Sequence, residues 1–273
     1  MILDEIAART RLRVAKAREI VSAAEVYRQA AALAGRGAGA GTESGGTAAP
    51  FARALAAPGL SFICEVKRAS PSKGLIAADF PYLQIAKDYE AAGAAAISVL
   101  TEPEFFRGSD RHLREIAAGT RIPVLRKDFI IDASQICEAK LLGASAVLLI
   151  CALLDTETLA SFIKTARELE LSALVEIHNE AEADSALKAG ALIAGINNRD
   201  LRTFEVDLGL TARLRKLLPP GVIVVAESGV RTPADIRMLE EQHVDAVLVG
   251  ESLMRAPDKK KYLAELRSGL RQN

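Results

Sequence analysis

Apolar residues follow two different patterns along the chain. Between Met1 and about Leu33, apolar positions such as Ile2, Ile6 and Val14 recur at helical spacing among Arg, Lys and Glu, which predicts one amphipathic helix. From residue 61 onward, short runs rich in β-branched residues follow one another at regular intervals. The runs are SFICEV at 61–66, AAISVL at 95–100, PVLRK at 123–127, AVLLIC at 146–151, ALVEI at 173–177, LIAGIN at 192–197, VIVVAE at 222–227 and AVLVG at 246–250.

Helical patterns separate most of these runs, including PYLQIAKDYEAAG, SQICEAKLLG and EAEADSALKAG, which end at a glycine suited to a left-handed helix cap. Strands that are apolar along nearly their whole length are covered on both faces, as parallel strands with helical crossovers are. Eight such units over about 210 residues predict an α/β fold, a (β/α)8 TIM barrel with an additional N-terminal helical extension. A doubly wound open sheet is the competing arrangement, but the even spacing favours closure.

One segment breaks this alternation. Residues 35–50, GRGAGAGTESGGTAAP, are rich in Gly, Ala, Ser and Thr, and the backbone entropy of glycine opposes a fixed structure there. We interpret the segment as a linker or mobile loop. The chain therefore divides into residues 1–50, an N-terminal helix and Gly-rich linker, and residues 51–273, a (β/α)8 barrel catalytic domain.

Composition limits the possible partners. The chain has 273 residues, and its 35 Lys and Arg balance its 35 Asp and Glu, so no overall field attracts nucleic acid or an anionic membrane. We expect a small-molecule ligand held by a local site, no nucleic-acid partner and no membrane partner. Net neutrality does not forbid self-association, and we expect a monomer or a weak homo-oligomer.

The cysteines and the N-terminus indicate a compartment. Cys64, Cys137 and Cys151 are odd in number and form no CxxC or Cys/His ligand spacing, which favours a reducing compartment and no structural zinc. The first residues lack a secretory pattern, and the longest apolar stretch is far shorter than the ~20 residues of a membrane helix. These features predict a cytoplasmic protein.

Polar side chains stand at the ends of the apolar runs, where this fold builds its active site. Any one of them alone would usually be a structural ion pair or a loop residue. Five strands ending in this way change that interpretation, because charges in a barrel mouth must compensate one another and meet a ligand. Such crowding also shifts pKa values and suits proton transfer. The residues are Glu65 and Lys67 after strand 1, Lys127 after strand 3, Glu176 after strand 5, Asn197 after strand 6, and Glu227 and Ser228 after strand 7.

The ends of strands 7 and 8 differ, because glycines there precede helix starts. Gly229 comes before a helix predicted to begin near Thr232, and Gly250 and Glu251 open another helix-like turn. Helix N-termini and glycine backbone bind anions, and these two loops are the common phosphate position of the fold. The sequence therefore predicts a phosphate monoester ligand.

Two nearby features have a structural explanation as well as a functional one. The basic loop RASPSKG at 68–74 is either a solvated connection or a lid that closes over a phosphorylated substrate, and its place after Lys67 favours a lid. His178 follows Glu176, but it shares no motif with His112 or His243, and we interpret it as a loop histidine. No metal site is predicted.

Seven segments along the chain carry the charged strand ends and the loops that follow them: ICEVKRASPSKG at 63–74, SVLTEPEFFRGS at 98–109, VLRKDFIID at 124–132, ALVEIHN at 173–179, GINNRDL at 195–201, AESGV at 226–230 and VGESLM at 249–254. These segments resemble those of the indole-3-glycerol phosphate synthase family. The resemblance implies a lyase of tryptophan biosynthesis that needs no metal or organic cofactor. It implies conversion of 1-(2-carboxyphenylamino)-1-deoxyribulose 5-phosphate to indole-3-glycerol phosphate, with release of carbon dioxide and water.

The resemblance also implies roles for individual residues. Lys127 would protonate the ribulose carbonyl, Lys67 would bind the carboxylate and transfer protons, and Glu65 would support Lys67 or remove a proton. Glu176 would act in acid–base steps, and which of these last three groups serves dehydration stays open. Asn197, Glu227 and Ser228 would orient the substrate, Arg199 would brace the loop that carries Asn197, and Ser70 with the backbone of Gly229, Gly250 and Glu251 would hold the phosphate. The Gly-rich spacer at 35–50 is longer than the family's usual connection.

Two other functions remain to be weighed. Phosphoribosylanthranilate isomerase is a related barrel that works with a cysteine and aspartate pair at strands 1 and 5. Cys64 lies in strand 1, but its side chain has the opposite parity from Glu65 and Lys67, and strand 5 ends in Glu176. A non-catalytic phosphosugar-binding or scaffolding barrel would keep the glycines and lose some charged strand ends.

Overall fold

Eight parallel strands close into a barrel in the computed structural model, which describes residues 2–37 and 49–271. Each strand pairs with the next along the chain, and the last pairs with the first. The predicted (β/α)8 barrel is therefore confirmed. The strands are β1 (Ser61–Val66), β2 (Ala96–Leu100), β3 (Val124–Lys127), β4 (Ala146–Ile150), β5 (Ser172–Ile177), β6 (Ile193–Asn197), β7 (Ile223–Glu227) and β8 (Ala246–Val249).

Helices follow the strands and form the outer layer. Gly93, Gly143 and Gly190 each come shortly after the end of a helix, and their φ angles are 85°, 87° and 84°. This is the left-handed conformation that the sequence pattern predicts at these helix ends. The helices are α1 (Ile2–Ile20), α2 (Ala23–Gly37), α3 (Pro50–Leu55), α4 (Tyr82–Ala91), α5 (Asp110–Gly119), α6 (Ala133–Leu141), α7 (Thr156–Glu168), α8 (Glu180–Lys188), α9 (Gly209–Arg215), α10 (Pro233–Glu241), α11 (Glu251–Arg255) and α12 (Lys259–Arg267).

The N-terminal segment differs from the single helix predicted from its periodicity. The helix is interrupted between α1 and α2. The Ser22 hydroxyl accepts a hydrogen bond from the Glu25 backbone N–H at 3.3 Å and so caps the start of a second helix. Helix α2 packs against α6, whereas α1 buries Leu3, Ile6 and Ala7. The prediction of one continuous helix is wrong.

Helices extend into both flanks of the Gly-rich segment 35–50. Residues 35–37 belong to α2, and Pro50 begins α3, so the predicted linker bounds of 35–50 are wrong at both flanks. Residues 38–48 of that segment lie outside the described residues. Proline suits the first turn of a helix because its missing N–H would have no partner there, which explains why α3 begins at Pro50.

Two apolar layers hold the barrel together. The inner layer includes Ile63, Leu125 and Leu174, and Phe51 and Leu55 of α3 close it from the amino end of the strands. The outer layer lies between the strands and the helices and contains Cys64 and Val66 among others. The alternation of side chains along β1 therefore follows the predicted parity, with Cys64 on the outer face.

Two further features complete the fold. The loop 68–74 contains a short antiparallel hairpin, in which Ala69–Ser70 pairs with Gly74–Leu75. The sequence analysis did not predict a strand there. Within residues 2–37 and 49–271, no helix has the length and apolar character needed to span a bilayer.

Candidate active site

A cavity of about 500 Å³ opens at the carboxyl ends of the strands. Its walls include every site residue predicted from the sequence, contributed by five strand ends and the loops after β1, β6, β7 and β8. Parallel strands bring their carboxyl ends to one rim, which is why residues far apart in sequence meet there. These residues are Glu65, Lys67, Ser70, Lys127, Glu176, Asn197, Arg199, Glu227, Ser228, Gly229, Gly250 and Glu251.

Lys127 occupies the centre of the rim. Its Nζ donates hydrogen bonds to Oε2 of Glu176 at 2.9 Å and to Oε2 of Glu227 at 2.6 Å. The three side chains are 13%, 5% and 3% exposed. Charge-assisted bonds of this length between nearly buried side chains fix the ammonium group firmly. A substrate that enters the cavity therefore meets a positioned proton donor.

A second charged pair comes from β1. Lys67 donates from Nζ to Oε1 of Glu65 at 2.5 Å. Gly250 at the end of β8 faces this pair, and a Cβ atom added there would collide with the Glu65 carboxylate. The glycine is therefore required by the close approach of the carboxylate as well as by the loop that it begins.

Asn197 links the Lys127 cluster to the loop after β7. Its Nδ2 donates to Oε1 of Glu176 at 3.1 Å, and its Oδ1 accepts from Ser228 Oγ at 2.9 Å and from the Arg199 backbone N–H at 3.1 Å. Ser228 has φ of 64°, a left-handed conformation unusual for serine. Such strain is stored where surrounding contacts hold a residue in place, as Asn197 does here.

The pKa values of the cluster diverge because its members are buried together. Burial disfavours a charged Lys127, but Glu176 and Glu227 outweigh it and raise the Lys127 pKa. Burial acts against the charged form of Glu176 as well, yet Lys127 and His178 hold its pKa well below the usual range. Burial and the neighbouring Glu176 raise the pKa of Glu227 to about 7. Groups with such separated pKa values can divide acid and base roles near neutral pH.

Gly195 makes room for Glu227. A Cβ atom on Gly195 would collide with Oε1 of Glu227, and within the described residues that oxygen is buried without a hydrogen-bond partner. Gly195 opens the segment GINNRDL but was not predicted to be a site residue. The signal was available, because glycine inside a strand often marks a close approach of another group.

Glycines and basic side chains gather at the ends of β7 and β8. Gly229 has φ of 95°, and α11 begins directly after Gly250. Gly250 and Glu251 line the cavity, so the backbone amides at the start of α11, which have no partner within the helix, lie beside it. Lys73, Arg231 and Arg255 line the same cavity. Lys73 belongs to the basic loop that was predicted to be a lid, whereas Arg231 and Arg255 were not predicted. Amides and cations together suit an anionic ligand group.

An apolar wall faces the charged rim. Phe106, Phe129 and the α1 residues Ile2, Leu3 and Ile6 line the cavity, so α1 covers part of the mouth. The sequence analysis missed these residues because periodicity identifies a buried helical face but not the surface against which it packs. Such a wall suits a flat apolar ligand group.

An ion pair fastens α1 to this wall. Arg13 donates from Nη2 to Oδ1 of Asp128 at 2.8 Å, and Asp128 also accepts from the Phe129 backbone N–H at 2.9 Å. The Asp128 side chain is 1% exposed. Arg13 therefore joins the N-terminal helix to the residue that directly follows Lys127.

His178 lies in a loop after β5, as expected, but its ring does not face solvent. Nε2 lies 3.2 Å from Oε1 of Glu176, within ion-pair range although not aligned as a hydrogen bond, and Nδ1 lies 3.0 Å from Oε2 of Glu182. Despite burial, these two carboxylates raise the pKa of His178 to about 10. The sequence analysis missed these contacts, although the four-residue spacing of His178 and Glu182 was visible.

No group of three or more His, Cys, Asp and Glu side chains within residues 2–37 and 49–271 is arranged to hold a metal ion. The charged groups of the rim instead bind one another. What the cavity provides is a set of proton donors and acceptors, an apolar wall and an anion site.

Comparison with known proteins identifies the family. A family model described as indole-3-glycerol phosphate synthase matches residues 3–266. The chain belongs to the indole-3-glycerol phosphate synthase family. The indole-3-glycerol phosphate synthase of Ruminiclostridium cellulolyticum is 54% identical over 269 residues, covering 98% of this chain and 99% of that protein. The synthase of Endomicrobium trichonymphae is 51% identical over 267 residues, covering 98% and 100%.

Solved structures outside the indole-3-glycerol phosphate synthase family share the fold alone. A 3-hexulose-6-phosphate synthase superposes with a TM-score of 0.61 at 18% identity, covering 78% of this chain and 100% of that chain. The thiamine phosphate pyrophosphorylase of Pyrococcus furiosus gives a TM-score of 0.59 at 19% identity, covering 77% and 94%. The family assignment therefore rests on sequence, and the barrel on both kinds of comparison.

Proposed function

We propose that the protein converts 1-(2-carboxyphenylamino)-1-deoxyribulose 5-phosphate to indole-3-glycerol phosphate, acting as a carboxy-lyase of tryptophan biosynthesis. The observation that carries the proposal is the Lys127 ammonium held between Glu176 and Glu227 at 2.9 and 2.6 Å, beside an apolar wall and an anion site in one cavity. Family membership over nearly the whole chain supports the same reaction.

Ring closure comes first. The aromatic carbon that bears the carboxylate attacks the ribulose carbonyl, and Lys127 donates a proton to the carbonyl oxygen as the new carbon–carbon bond forms. A positioned general acid of this kind contributes about 10² to 10⁴ in rate. The apolar wall formed by Phe106 and Phe129 together with α1 holds the aromatic ring against the carbonyl.

Decarboxylation and dehydration follow. Lys67 binds the carboxylate until this group leaves as carbon dioxide. The electrons of the broken carbon–carbon bond restore the aromatic ring. The hydroxyl then leaves as water, which requires one acid to protonate it and one base to remove a proton from the substrate. Glu65, Lys67 and Glu176 are the candidates for these two roles, because all three line the cavity next to Lys127.

Binding groups orient the phosphosugar. Asn197, Glu227 and Ser228 orient the hydroxyls and the reacting centre through the hydrogen-bonded chain that joins them to Glu176 and Lys127. Arg199 braces its loop by donating from Nη1 to the Phe204 carbonyl at 3.0 Å. Ser70 and the backbone of Gly229, Gly250 and Glu251 hold the phosphate.

The hairpin loop 68–74 supplies the lid. Ser70, Pro71, Ser72 and Lys73 line the cavity, so movement of this loop changes access to the rim. Closure over bound substrate would bring the cation of Lys73 towards the phosphate and exclude water from Lys67.

The isomerase alternative is disfavoured by the position of Cys64. This residue lies in the outer layer with no exposure, and burial raises its pKa, so no thiolate reaches the cavity. A non-catalytic phosphosugar-binding barrel is disfavoured because no such protein needs the buried cluster of Lys127, Glu176 and Glu227, which costs stability without a reaction to serve.

The remaining expectations form part of the proposal. We infer a cytoplasmic protein that acts as a monomer or weak homo-oligomer without nucleic-acid or membrane partners. Residues 1–50 act as an extension of the barrel domain of residues 51–273, because α1 shares the cavity wall with the rim.

Fluorescence tests the proposed function. Incubation of the protein with the carboxyphenylamino-deoxyribulose phosphate should produce indole fluorescence and an equal amount of carbon dioxide. Phosphoribosylanthranilate should remain unchanged in a parallel reaction. Absence of indole product with the first substrate, or turnover of the second, would overturn the assignment.

A further inference from the structure

His178 connects the active-site cavity to a second one. Its Nε2 lies 3.2 Å from Oε1 of Glu176 in the active site, and its Nδ1 lies 3.0 Å from Oε2 of Glu182. The His178 backbone N–H also donates to Glu182 at 2.8 Å. The imidazole is therefore clamped between a catalytic-site carboxylate and a carboxylate of α8.

The second cavity, of about 870 Å³, reaches this ring and adjoins the first, since Asn197 and Arg199 line both. His178, Asn179 and Glu182 line it together with the loop that follows β6. Asn179 is exposed and Glu182 retains 18% exposure of its side chain, so water reaches this side of the imidazole. The Glu176 side chain, at 5% exposure, is nearly closed to water on its own side.

Charge balance shows that the proposed reaction consumes a proton. The carbonyl oxygen of the substrate takes up two protons and leaves as water, whereas the substrate carbon skeleton returns only one proton during dehydration. The substrate carboxylate leaves as neutral carbon dioxide, so its negative charge is cancelled by one proton from solvent. Lys127 accounts for the first protonation, and a second donor is needed for the departing hydroxyl.

Glu176 cannot supply that second proton from its resting state. Its pKa is held low by Lys127 and His178 in spite of burial, so it is ionised at neutral pH. It can act as an acid only if a neighbour protonates it. His178 is such a neighbour, and its contacts with Glu176 and Glu182 keep it protonated near neutral pH.

We propose that His178 is a proton-relay residue, which passes the proton consumed in each turnover from the second cavity to Glu176. This inference rests on the proposed function. Once Lys127 has given its proton to the carbonyl, the cation that favours ionised Glu176 is gone. The imidazole then turns into line with Oε1 of Glu176, the Nε2–H bond breaks as the proton reaches that oxygen, and Glu176 protonates the departing hydroxyl, which leaves as water. Water in the second cavity then returns a proton to the neutral imidazole. His178 acts through Glu176 and does not touch the substrate.

The surroundings of His178 allow this transfer. Glu176 faces it from β5 and Glu182 faces it from α8. Asn197 Nδ2 donates to the same Glu176 oxygen at 3.1 Å and holds it in place, and Cys151 Sγ contacts the Glu182 carbonyl at 3.7 Å. The other charged side chains that line the second cavity are Arg199, Asp200, Arg202, Glu205, Asp207 and Arg213.

Chemical rescue provides the first test. His178→Ala should lower the single-turnover rate by about 10-fold, less than the ~100-fold expected for a group that acts on substrate directly, while KM stays nearly unchanged. Added imidazole should restore the rate, and more so at pH 6 than at pH 8 because the imidazolium form donates. A normal rate in His178→Ala, or a loss that imidazole does not restore, would overturn the relay.

A pH profile gives a second test that does not depend on the first variant. Glu182→Gln removes a carboxylate that raises the pKa of His178, so the alkaline fall of the single-turnover rate should move to lower pH by about one unit. Glu180→Gln is the matched control, since it removes the same charge from the first turn of α8 at an exposed position. It should leave the profile in place. An unmoved profile in Glu182→Gln, or an equal shift in both variants, would contradict the relay.

The two proposals fail in distinguishable ways. If the unaltered protein makes no indole product, the proposed function fails and the relay falls with it. If the unaltered protein makes product and His178→Ala matches it in rate, only the relay is wrong.

Discussion

At its amino end the barrel is filled by apolar side chains and closed by Phe51 and Leu55 of α3, whereas its carboxyl end is lined by charged side chains around an open cavity. The change occurs within two residues of the same strand face. On the inner face of each strand, an apolar residue is followed two positions later, towards the carboxyl end, by a charged one. The pairs are Ile63 and Glu65, Leu125 and Lys127, Leu174 and Glu176, and Val225 and Glu227. Each step along the strand period therefore moves from the packed core to the site.

This comparison teaches that one scaffold separates two physical demands. Apolar burial at the amino end stabilises the fold, while the carboxyl end keeps buried charges whose desolvation costs free energy. Variants at the two ends should therefore separate in stability and turnover.

Lys127→Ala should separate turnover from stability more than any other variant proposed here. Turnover should fall by at least ~100-fold, because the variant loses the general acid of ring closure, while the fold and phosphate binding are retained. Steady-state kinetics and circular dichroism measure the two effects. Lys140→Ala is a matched control, since Lys140 pairs with Glu170 at 3.2 Å on the outer layer, and it should keep normal turnover. Near-normal turnover in Lys127→Ala would remove this residue from the mechanism.

Leu55→Ala should show the reverse behaviour. Leu55 is fully buried in the plug at the amino end, and its truncation should lower the free energy of unfolding by about 2–5 kcal/mol. The rate per folded molecule should stay unchanged. Denaturant unfolding and kinetics check this, with the exposed Leu217→Ala as control. A loss of turnover with normal stability would show that the two ends are not separate.

Asn197→Ala should lower activity less than Lys127→Ala, because Asn197 orients other groups of the rim. The variant loses the hydrogen bonds to Glu176 and Ser228, so binding and rate should both weaken, by about 10-fold in kcat/KM. Titration with product and steady-state kinetics measure them. No change in either quantity would indicate that the end of β6 does not orient the ligand.

Glu227→Gln should slightly raise the free energy of unfolding, because it removes a buried carboxylate whose desolvation destabilises the fold. The folded pKa of Glu227 is raised from 4.5 to about 7, so folding favours its protonated form, and stability is lost as pH rises from about 4.5 through 7. The neutral variant escapes this loss and should gain about 1 kcal/mol at pH 8 and nothing at pH 4. Thermal unfolding at both pH values measures it. The exposed Glu157→Gln is the control, and a variant less stable than the parent at pH 8 would contradict the raised pKa.

The barrel and its charged rim could be predicted because both follow from regular periods. Strand alternation puts Glu65 and Lys67 on one face, and parallel closure brings Lys127 and Glu176 to the same rim. The starts of α10 and α11 followed in the same way from Thr232 and from the glycine at the end of β8.

Contacts between distant elements could not be predicted in this way. The plug formed by α3 and the Arg13–Asp128 pair depend on how helices pack against the barrel, which no local pattern encodes. His178 was missed for a related reason, since a histidine without a motif gains meaning only from the carboxylates that surround it. The break at Ser22 did have a local signal, the serine three residues before Glu25 that caps α2.

A crystal structure of the protein with bound indole-3-glycerol phosphate tests the central claim most directly. The account predicts the phosphate at the backbone amides of Gly229 and Glu251, with the indole ring between Lys127 and the apolar wall that includes Ile6 and Phe129. A product bound elsewhere, or one whose ring lies out of reach of Lys127, would contradict the account.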